Sequence, residues 1–100
     1  DMMKKVFISQ PMRNKTRGEI EVERAEIIFT LKDKVKDFEI IDSVCKDFKP
    51  DTNPLIFLAK AIEFLSQADV VVMGRGWNEA RGCKVEELCA REYGKEIIYM

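Results

Sequence analysis

The chain predicts an α/β fold, a small doubly wound parallel sheet with strand order 2-1-3-4. Three observations carry that expectation. Short apolar runs alternate with helix-length segments, the mark of successive β-α-β units. The run Val70-Val-Val-Met73 is apolar on consecutive positions, as a strand covered on both faces requires. It leads into a loop punctuated by Gly74, Gly76 and Gly82, followed by a helical pattern. Right-handed crossovers then leave few topologies. The order 2-1-3-4 puts a switch point between the first and third strands, where such folds bind ligands.

The elements follow in order. Residues 5–9, Lys-Val-Phe-Ile-Ser, read as a first buried strand, ended by Gln10-Pro-Met. Residues 12–18 form a polar loop. Residues 19–36 suit an amphipathic helix, with Ile20, Ala25, Ile27, Ile28 and Leu31 apolar. Glutamates at its start and lysines near its end suit the helix dipole. Residues 38–41 are a short second strand, and residues 42–53 a loop around Pro50. Pro54 opens a helix to about residue 67, with Leu55, Leu58, Ala59, Ile62 and Leu65 as its apolar face. The third strand spans residues 70–73. The last helix covers about residues 81–93, with Val85, Leu88, Cys89 and Tyr93 on one side, and residues 96–99 are a fourth strand.

The bulk numbers bound the function. One hundred residues favour a single domain spanning 1–100, large enough to fold without disulfides or metal. A net charge of -1 gives no general attraction to nucleic acid or an anionic membrane. No apolar run approaches the roughly 18 residues of a membrane helix. The N-terminus has no signal-peptide pattern, and Met2 reads as a native start after Asp1. Three cysteines, Cys45, Cys83 and Cys89, lack the spacing of a disulfide framework or a structural zinc site. A cytoplasmic protein is expected. The chain has no histidine, so acid–base work falls to other side chains and His-ligated metals are excluded.

Two loops converge on the expected crevice. Neither carries a GxGxxG fingerprint or a Walker sequence, so no dinucleotide is expected; the topology alone leaves a flavin open, but no phosphate-loop signature supports one, and no cofactor is expected. Ser9 and Arg13 lie on the first loop, and Arg75 and Arg81 on the second. Together these cations suit an anionic ligand such as a nucleotide phosphate; singly each reads equally as a solvated charge. Trp77 reads either as a stacking surface for a base or as a hydrophobic cover for the last helix. Glu86 lies about one turn into that helix. Glu86 and Glu87 are adjacent, so only one is expected to face the crevice. Cys83 at a helix start reads first as a small packed residue and second as a low-pKa thiol. Cys89 reads as core.

Several of these residues carry a resemblance. Phe7-Ile-Ser-Gln-Pro-Met12, Ala68-Asp-Val-Val-Val72, Gly76-Trp77, Ala80-Arg-Gly-Cys83, and Glu86 with Ala90 resemble a short bacterial and phage family. That family is related to the nucleoside 2-deoxyribosyltransferases and to 2'-deoxynucleoside 5'-phosphate N-glycosidases. The resemblance runs over nearly the whole chain, and its motifs are specific for the superfamily rather than for one activity. It implies a compact flavodoxin-like, Rossmann-like domain, often dimeric, that acts on an N-glycosidic bond. Gly82, Glu86 and Ala90 match the transferases' pattern G-x-x-x-E-x-x-x-A, whose glutamate attacks the anomeric carbon. The implied substrate-binding set is Ser9, Gln10, Met12, Arg13, Gly76, Trp77, Arg81 and Gly82. Asp69 is the nearest match to an acidic or amide group that holds the nucleoside in relatives, or else a structural residue at a strand's amino end.

The chain also departs from the pattern. Phe7 stands where a tyrosine is common, and Gln10 where relatives usually have glycine. Ala80 and Arg81 stand where transferases carry an aspartate, leaving Glu79 as the nearest acid. These departures keep a second reading open, a non-catalytic nucleotide-binding module with a signalling or phage-defence role. The expected partner is a small nucleoside or nucleotide. A homodimer is expected through Phe57 and Phe64, read as aromatics beyond the main apolar face of their helix.

Overall fold

The computed structural model describes residues 3–43 and 51–100. The expectations for Met2 as a start, for Cys45 and for the loop at Pro50 lie outside the described residues. Four strands, β1 (Lys4–Ser9), β2 (Phe38–Ile40), β3 (Val70–Met73) and β4 (Glu96–Tyr99), form one sheet. All pairings are parallel, in the order β2-β1-β3-β4. The fold is therefore the doubly wound α/β sheet that the alternating pattern predicts. Among the described residues three α-helices cover it: α1 (Arg17–Leu31), α2 (Pro54–Leu65) and α3 (Arg81–Glu92). No helix among the described residues is long and apolar enough to cross a membrane.

Strand alternation sorts the core into two layers. Val6 and Ile8 of β1, with Val70 and Val72 of β3, face α1 and pack on Ile27, Leu31 and Val35. Phe7 of β1, with Val71 and Met73 of β3, faces the other side and packs on Leu65, Ala68, Cys83 and Ala90. All four residues of β3 are 0 % exposed, which is why that run reads as unbroken apolar. The same alternation sends Ser9 toward α3 and its neighbour Gln10 toward α1.

The helices depart from the expected limits and faces for identifiable reasons. Helix α1 starts before residue 19 because Thr16 caps it. The Thr16 hydroxyl accepts from the Glu19 N–H (3.1 Å), and the Glu19 carboxylate accepts from the Thr16 N–H (2.8 Å). It stops at Leu31 rather than at residue 36, since the following turn brings Val35 back into the core. Lys32, Lys34 and Lys36 thus lie past the helix, and no basic residue occupies its last turn. Ala25 is exposed.

Helix α2 ends at Leu65 rather than near residue 67, and it is rotated from the expected face. Ala61, Phe64, Leu65 and the following Ala68 form the inward stripe. Leu55 and Ala59 are exposed, while Leu58 and Ile62 are half-buried. Phe64 is therefore part of the packing rather than a free aromatic surface. Helix α3 is rotated further. Its inward stripe is Cys83, Glu86, Glu87 and Ala90, at the i, i+3, i+4, i+7 spacing of one face. The apolar residues Val85, Leu88 and Tyr93 are exposed, and Cys89 is only half-buried, so Cys89 is not core.

The two site loops are clamped backbone to backbone at Gly74. Its N–H donates to the Ser9 carbonyl (2.8 Å). A Cβ at Gly74 would sit 3.3 Å from that oxygen and 3.5 Å from the Pro11 ring. Substituting Gly74→Val is expected to destabilise the fold by about 1–3 kcal/mol through overpacking, read from the urea midpoint. A loss under roughly 0.5 kcal/mol would show that the loops are not held together there.

Candidate functional site

The site forms where β1 and β3 reach their carboxyl ends. Ser9 is the last residue of β1 and pairs in register with Met73. The chain passes Pro11 and turns at Met12–Lys15, where the Lys15 N–H donates to the Met12 carbonyl at 3.3 Å, while β3 passes through Gly74 into a loop. Gly76 adopts φ +81°, a left-handed conformation that glycine takes without a Cβ penalty. A short 3-10 turn, Trp77–Glu79, follows and delivers the chain to α3. Helix α3 begins with Ala80 at its cap and no side-chain capping bond.

Glu86 projects inward from the second turn of α3 and is 9 % exposed. The Ser9 hydroxyl donates to its Oε1 at 2.5 Å. Burial in low dielectric pushes the Glu86 pKa above the usual carboxylate range, and the Ser9 hydrogen bond partly opposes that shift. The other carboxylate oxygen has no hydrogen-bond partner among the described residues. The arrangement is a half-tethered carboxyl at a sheet edge, desolvated and held in one orientation. Such a group is a stronger nucleophile or base than a hydrated one once ionised.

Glu87 is also buried, but it points to the other side. The Tyr99 hydroxyl donates to its Oε2 at 2.7 Å, and the Arg91 guanidinium lies 3.3 Å from the same oxygen. These partners hold the Glu87 carboxyl below its ordinary range. Its role is to anchor α3 to β4. Trp77 rests against Tyr99, with ring centroids 5.7 Å apart, and packs on the core layer below. The cover reading of Trp77 thus has a visible contact. The adjacent glutamates divide, Glu86 toward Ser9 at the end of β1 and Glu87 toward Tyr99 of β4.

The remaining expected residues are placed as follows. Gln10 is 7 % exposed and donates its amide Nε2 to the Ile20 carbonyl at 2.8 Å. Gly82 lies on α3 one turn before Glu86. Met12, Arg13, Arg75, Glu79 and Arg81 are exposed. Asp69 sits at the opposite edge of the sheet, where its carboxylate accepts from the Lys5 N–H at 2.8 Å. That contact closes the amino end of β1, a structural use of Asp69. Burial pushes the Cys83 thiol up, which removes the low-pKa reading and leaves the packed one. No cluster of metal-ligating side chains occurs among the described residues. Sequence reasoning missed the Tyr99 anchor. It also missed the capping signal Thr16-x-x-Glu19, which is readable directly.

Glu86 carries a linkage consequence. A buried acid whose pKa is raised in the fold favours its neutral form. Its stabilising contribution is complete below the unfolded pKa of about 4.3 and is lost as pH rises through the folded value. Glu86→Gln keeps the shape and removes the charge. The variant is expected to exceed wild type in stability at pH 8 by on the order of 1 kcal/mol, with the gap closing at pH 4. Thermal unfolding at both pH values checks this, and a variant less stable at pH 8 would contradict it.

No curated protein matches the chain. Residues 48–99 match the family described as Domain of unknown function (DUF4406). The matched stretch holds α2, β3, α3 and β4, and so Trp77, Glu86 and Glu87, whereas Ser9 and Gln10 precede it. The match covers just over half of the sequence, and the chain belongs to this family.

Proposed function

We propose that the protein cleaves the N-glycosidic bond of a nucleotide or nucleoside, as a hydrolase or a deoxyribosyl transferase, with Glu86 as nucleophile. The observation that carries this reading is the buried Glu86 carboxyl at the carboxyl edge of the sheet, held through one oxygen by Ser9. The spacing Gly82, Glu86, Ala90 supports it, because it matches the glutamate pattern of the deoxyribosyltransferases that the sequence resembles.

The chemistry is retaining glycosyl transfer. The ionised Glu86 attacks the anomeric carbon through the oxygen that Ser9 does not hold. The bond from that carbon to the base nitrogen breaks, and its electron pair leaves with the base, which takes up a proton. The resulting glycosyl ester is then opened by water, or by a second base, and Glu86 is regenerated. Ser9 orients the carboxyl and stabilises its ionised form with one hydrogen bond. Arg13 and Arg81, both exposed, supply positive charge for a 5'-phosphate, and the uncapped start of α3 adds N–H groups. Trp77 bounds the sugar side.

The test is base release from a panel of nucleosides and their monophosphates. Wild type is expected to release base from at least one member, and Glu86→Gln to lower turnover by several orders of magnitude. Monophosphates are expected to bind roughly tenfold to a hundredfold more tightly than nucleosides, by a charge-assisted contact of about 1.5–3 kcal/mol. Base release by Glu86→Gln at the wild-type rate would remove the assignment. Tight binding without release from any substrate would instead select a non-catalytic nucleotide-binding module. Phe7 favours that module, since it is buried in the core and offers no hydroxyl to a substrate.

The protein acts in this reading as a homodimer in the cytoplasm. Its support is the apolar surface of the α2–α3 layer: Leu55 is 71 % exposed, Ile56 52 %, Leu88 47 % and Tyr93 82 %. Phe57 joins that surface, whereas Phe64 does not. Light scattering at tens of micromolar is expected to give twice the chain mass, and Leu88→Asp to return the monomer mass. A wild-type monomer would end the idea.

A further inference from the structure

Ser9, Met73 and Tyr99 lie in one row across three neighbouring strands. Ser9 pairs in register with Met73, and Met73 with Tyr99. All three side chains face α3. Ser9 meets Glu86, Met73 packs in the layer beneath the helix, and Tyr99 meets Glu87. Neighbouring strands lie about 4.8 Å apart, so the ends of the row are about 10 Å from each other. The helix packs over the middle of the row, and its two adjacent glutamates reach down to either end.

Helix α3 has little else to fix its roll. Its buried side chains are Cys83, Glu86, Glu87 and Ala90, so its fully packed apolar groups are only a thiol and a methyl. Its larger apolar side chains, Val85 and Leu88, are 39 % and 47 % exposed. Small groups allow a close approach but resist rotation weakly, since interlocking needs ridges that enter grooves. Among the described residues, two side-chain hydrogen bonds join α3 to the sheet. They are Ser9 to Glu86 and Tyr99 to Glu87. Arg91 also holds Glu87, but it belongs to the same helix and turns with it. Glu86 and Glu87 stand about 100° apart around the axis, so the two bonds pull on opposite flanks. One bond alone leaves the helix free to roll. Leu88 follows Glu87 on the β4 flank. Turning Leu88 onto the sheet would bury apolar surface and lift Glu86 off Ser9 into water.

We infer that Tyr99 is a positioning residue for Glu86: its hydroxyl, acting through Glu87, fixes the roll of α3 that keeps the Glu86 carboxyl on Ser9. The Tyr99 ring has a separate task, since it braces Trp77 at a centroid distance of 5.7 Å. The functional weight of the role rests on the N-glycoside reading. There the hydroxyl keeps the nucleophile aligned with the anomeric carbon, and a misplacement of about 1 Å lowers the rate about a hundredfold.

The experiment separates hydroxyl from ring. Tyr99 is 50 % exposed, and Tyr99→Phe keeps the ring beside Trp77 while deleting the bond to Glu87. The Glu86 carboxyl is titrated by carbon-13 NMR in wild type, Ser9→Ala, Tyr99→Phe and the double variant. In Tyr99→Phe the midpoint is expected to fall toward the ordinary glutamate range, because burial is the strongest influence on it and the roll hydrates the group. Adding Ser9→Ala is expected to move it less than half as far as in wild type, a coupling that a double-mutant cycle detects. Emission from Trp77, the sole tryptophan, is expected to match wild type in Tyr99→Phe and to shift in Tyr99→Leu. Glu87→Gln keeps an oxygen for the Tyr99 proton and is expected to retain the full response to Ser9→Ala, whereas Glu87→Leu loses it. This pair decides alone if Tyr99→Phe does not fold. On any substrate that releases base, Tyr99→Phe is expected to lower kcat about tenfold to a hundredfold, with KM within about twofold. A full Ser9→Ala response in Tyr99→Phe or in Glu87→Leu, a response lost in Glu87→Gln, or an unchanged kcat would each overturn the assignment. If no substrate releases base, the glycosidase reading fails on its own, and the titrations still decide the role of Tyr99.

Discussion

A carboxyl buried under a helix needs a donor, and Glu86 takes the hydroxyl of Ser9, a residue 77 positions away. Much of the fold is arranged to make that contact. Strand β1 must end at Ser9, and the parallel register with β3 must set Ser9 beside Met73. The Gly74–Gly76 loop must then turn tightly enough for α3 to start at Arg81 and lay its second turn over the strand end. Ionising Glu86 in that position works against burial, so the group is retained at a cost to the fold. Cost of that kind concentrates at functional sites.

The carboxyl edge is divided by the simplest rule of strands, that successive side chains point to opposite faces. Ser9 meets Glu86 on the α3 side, and Gln10 lines a cavity under α1 on the other. Two neighbouring residues thus serve opposite faces of the sheet, Ser9 under α3 and Gln10 under α1. Gly74 joins the loops that follow β1 and β3, since its lack of a side chain lets them approach backbone to backbone. On the far flank, Glu87 ties α3 to Tyr99 and Arg91, and Trp77 leans on the same tyrosine. One neutral hydroxyl and an opposite charge favour the ionised form of Glu87, whereas Glu86 one residue earlier is pushed toward neutrality. The contrast between adjacent glutamates comes from their surroundings alone.

The sheet was legible because β1 and β3 are buried on both faces, and a doubly buried strand leaves an unbroken apolar run. The order of strands followed from the β/α alternation and the handedness of crossovers. The faces of α2 and α3 were not legible, and α3 explains why. Its most apolar stripe, Val85, Leu88, Cys89 and Tyr93, has helical period yet faces outward, while its inward stripe contains Glu86 and Glu87. Periodicity measures spacing and assumes that the apolar side is the inner one. That assumption fails where buried carboxylates have partners from distant strands, Ser9 and Tyr99, which no local pattern announces. The start of α1 could have been read from Thr16 and Glu19. Arg13, Arg75 and Arg81 were legible as charges on the segments that follow β1 and β3, and each is exposed.

The most direct measurement is the ionisation of Glu86 itself, followed by carbon-13 NMR of its carboxyl group across the acid and neutral range. Wild type is expected to titrate above an ordinary glutamate. Ser9→Ala is expected to move the midpoint further up, because the hydrogen bond that favours the ionised form is gone while the burial remains. A midpoint at or below the ordinary range, or one indifferent to Ser9→Ala, would contradict the account of a desolvated carboxyl held by this hydroxyl.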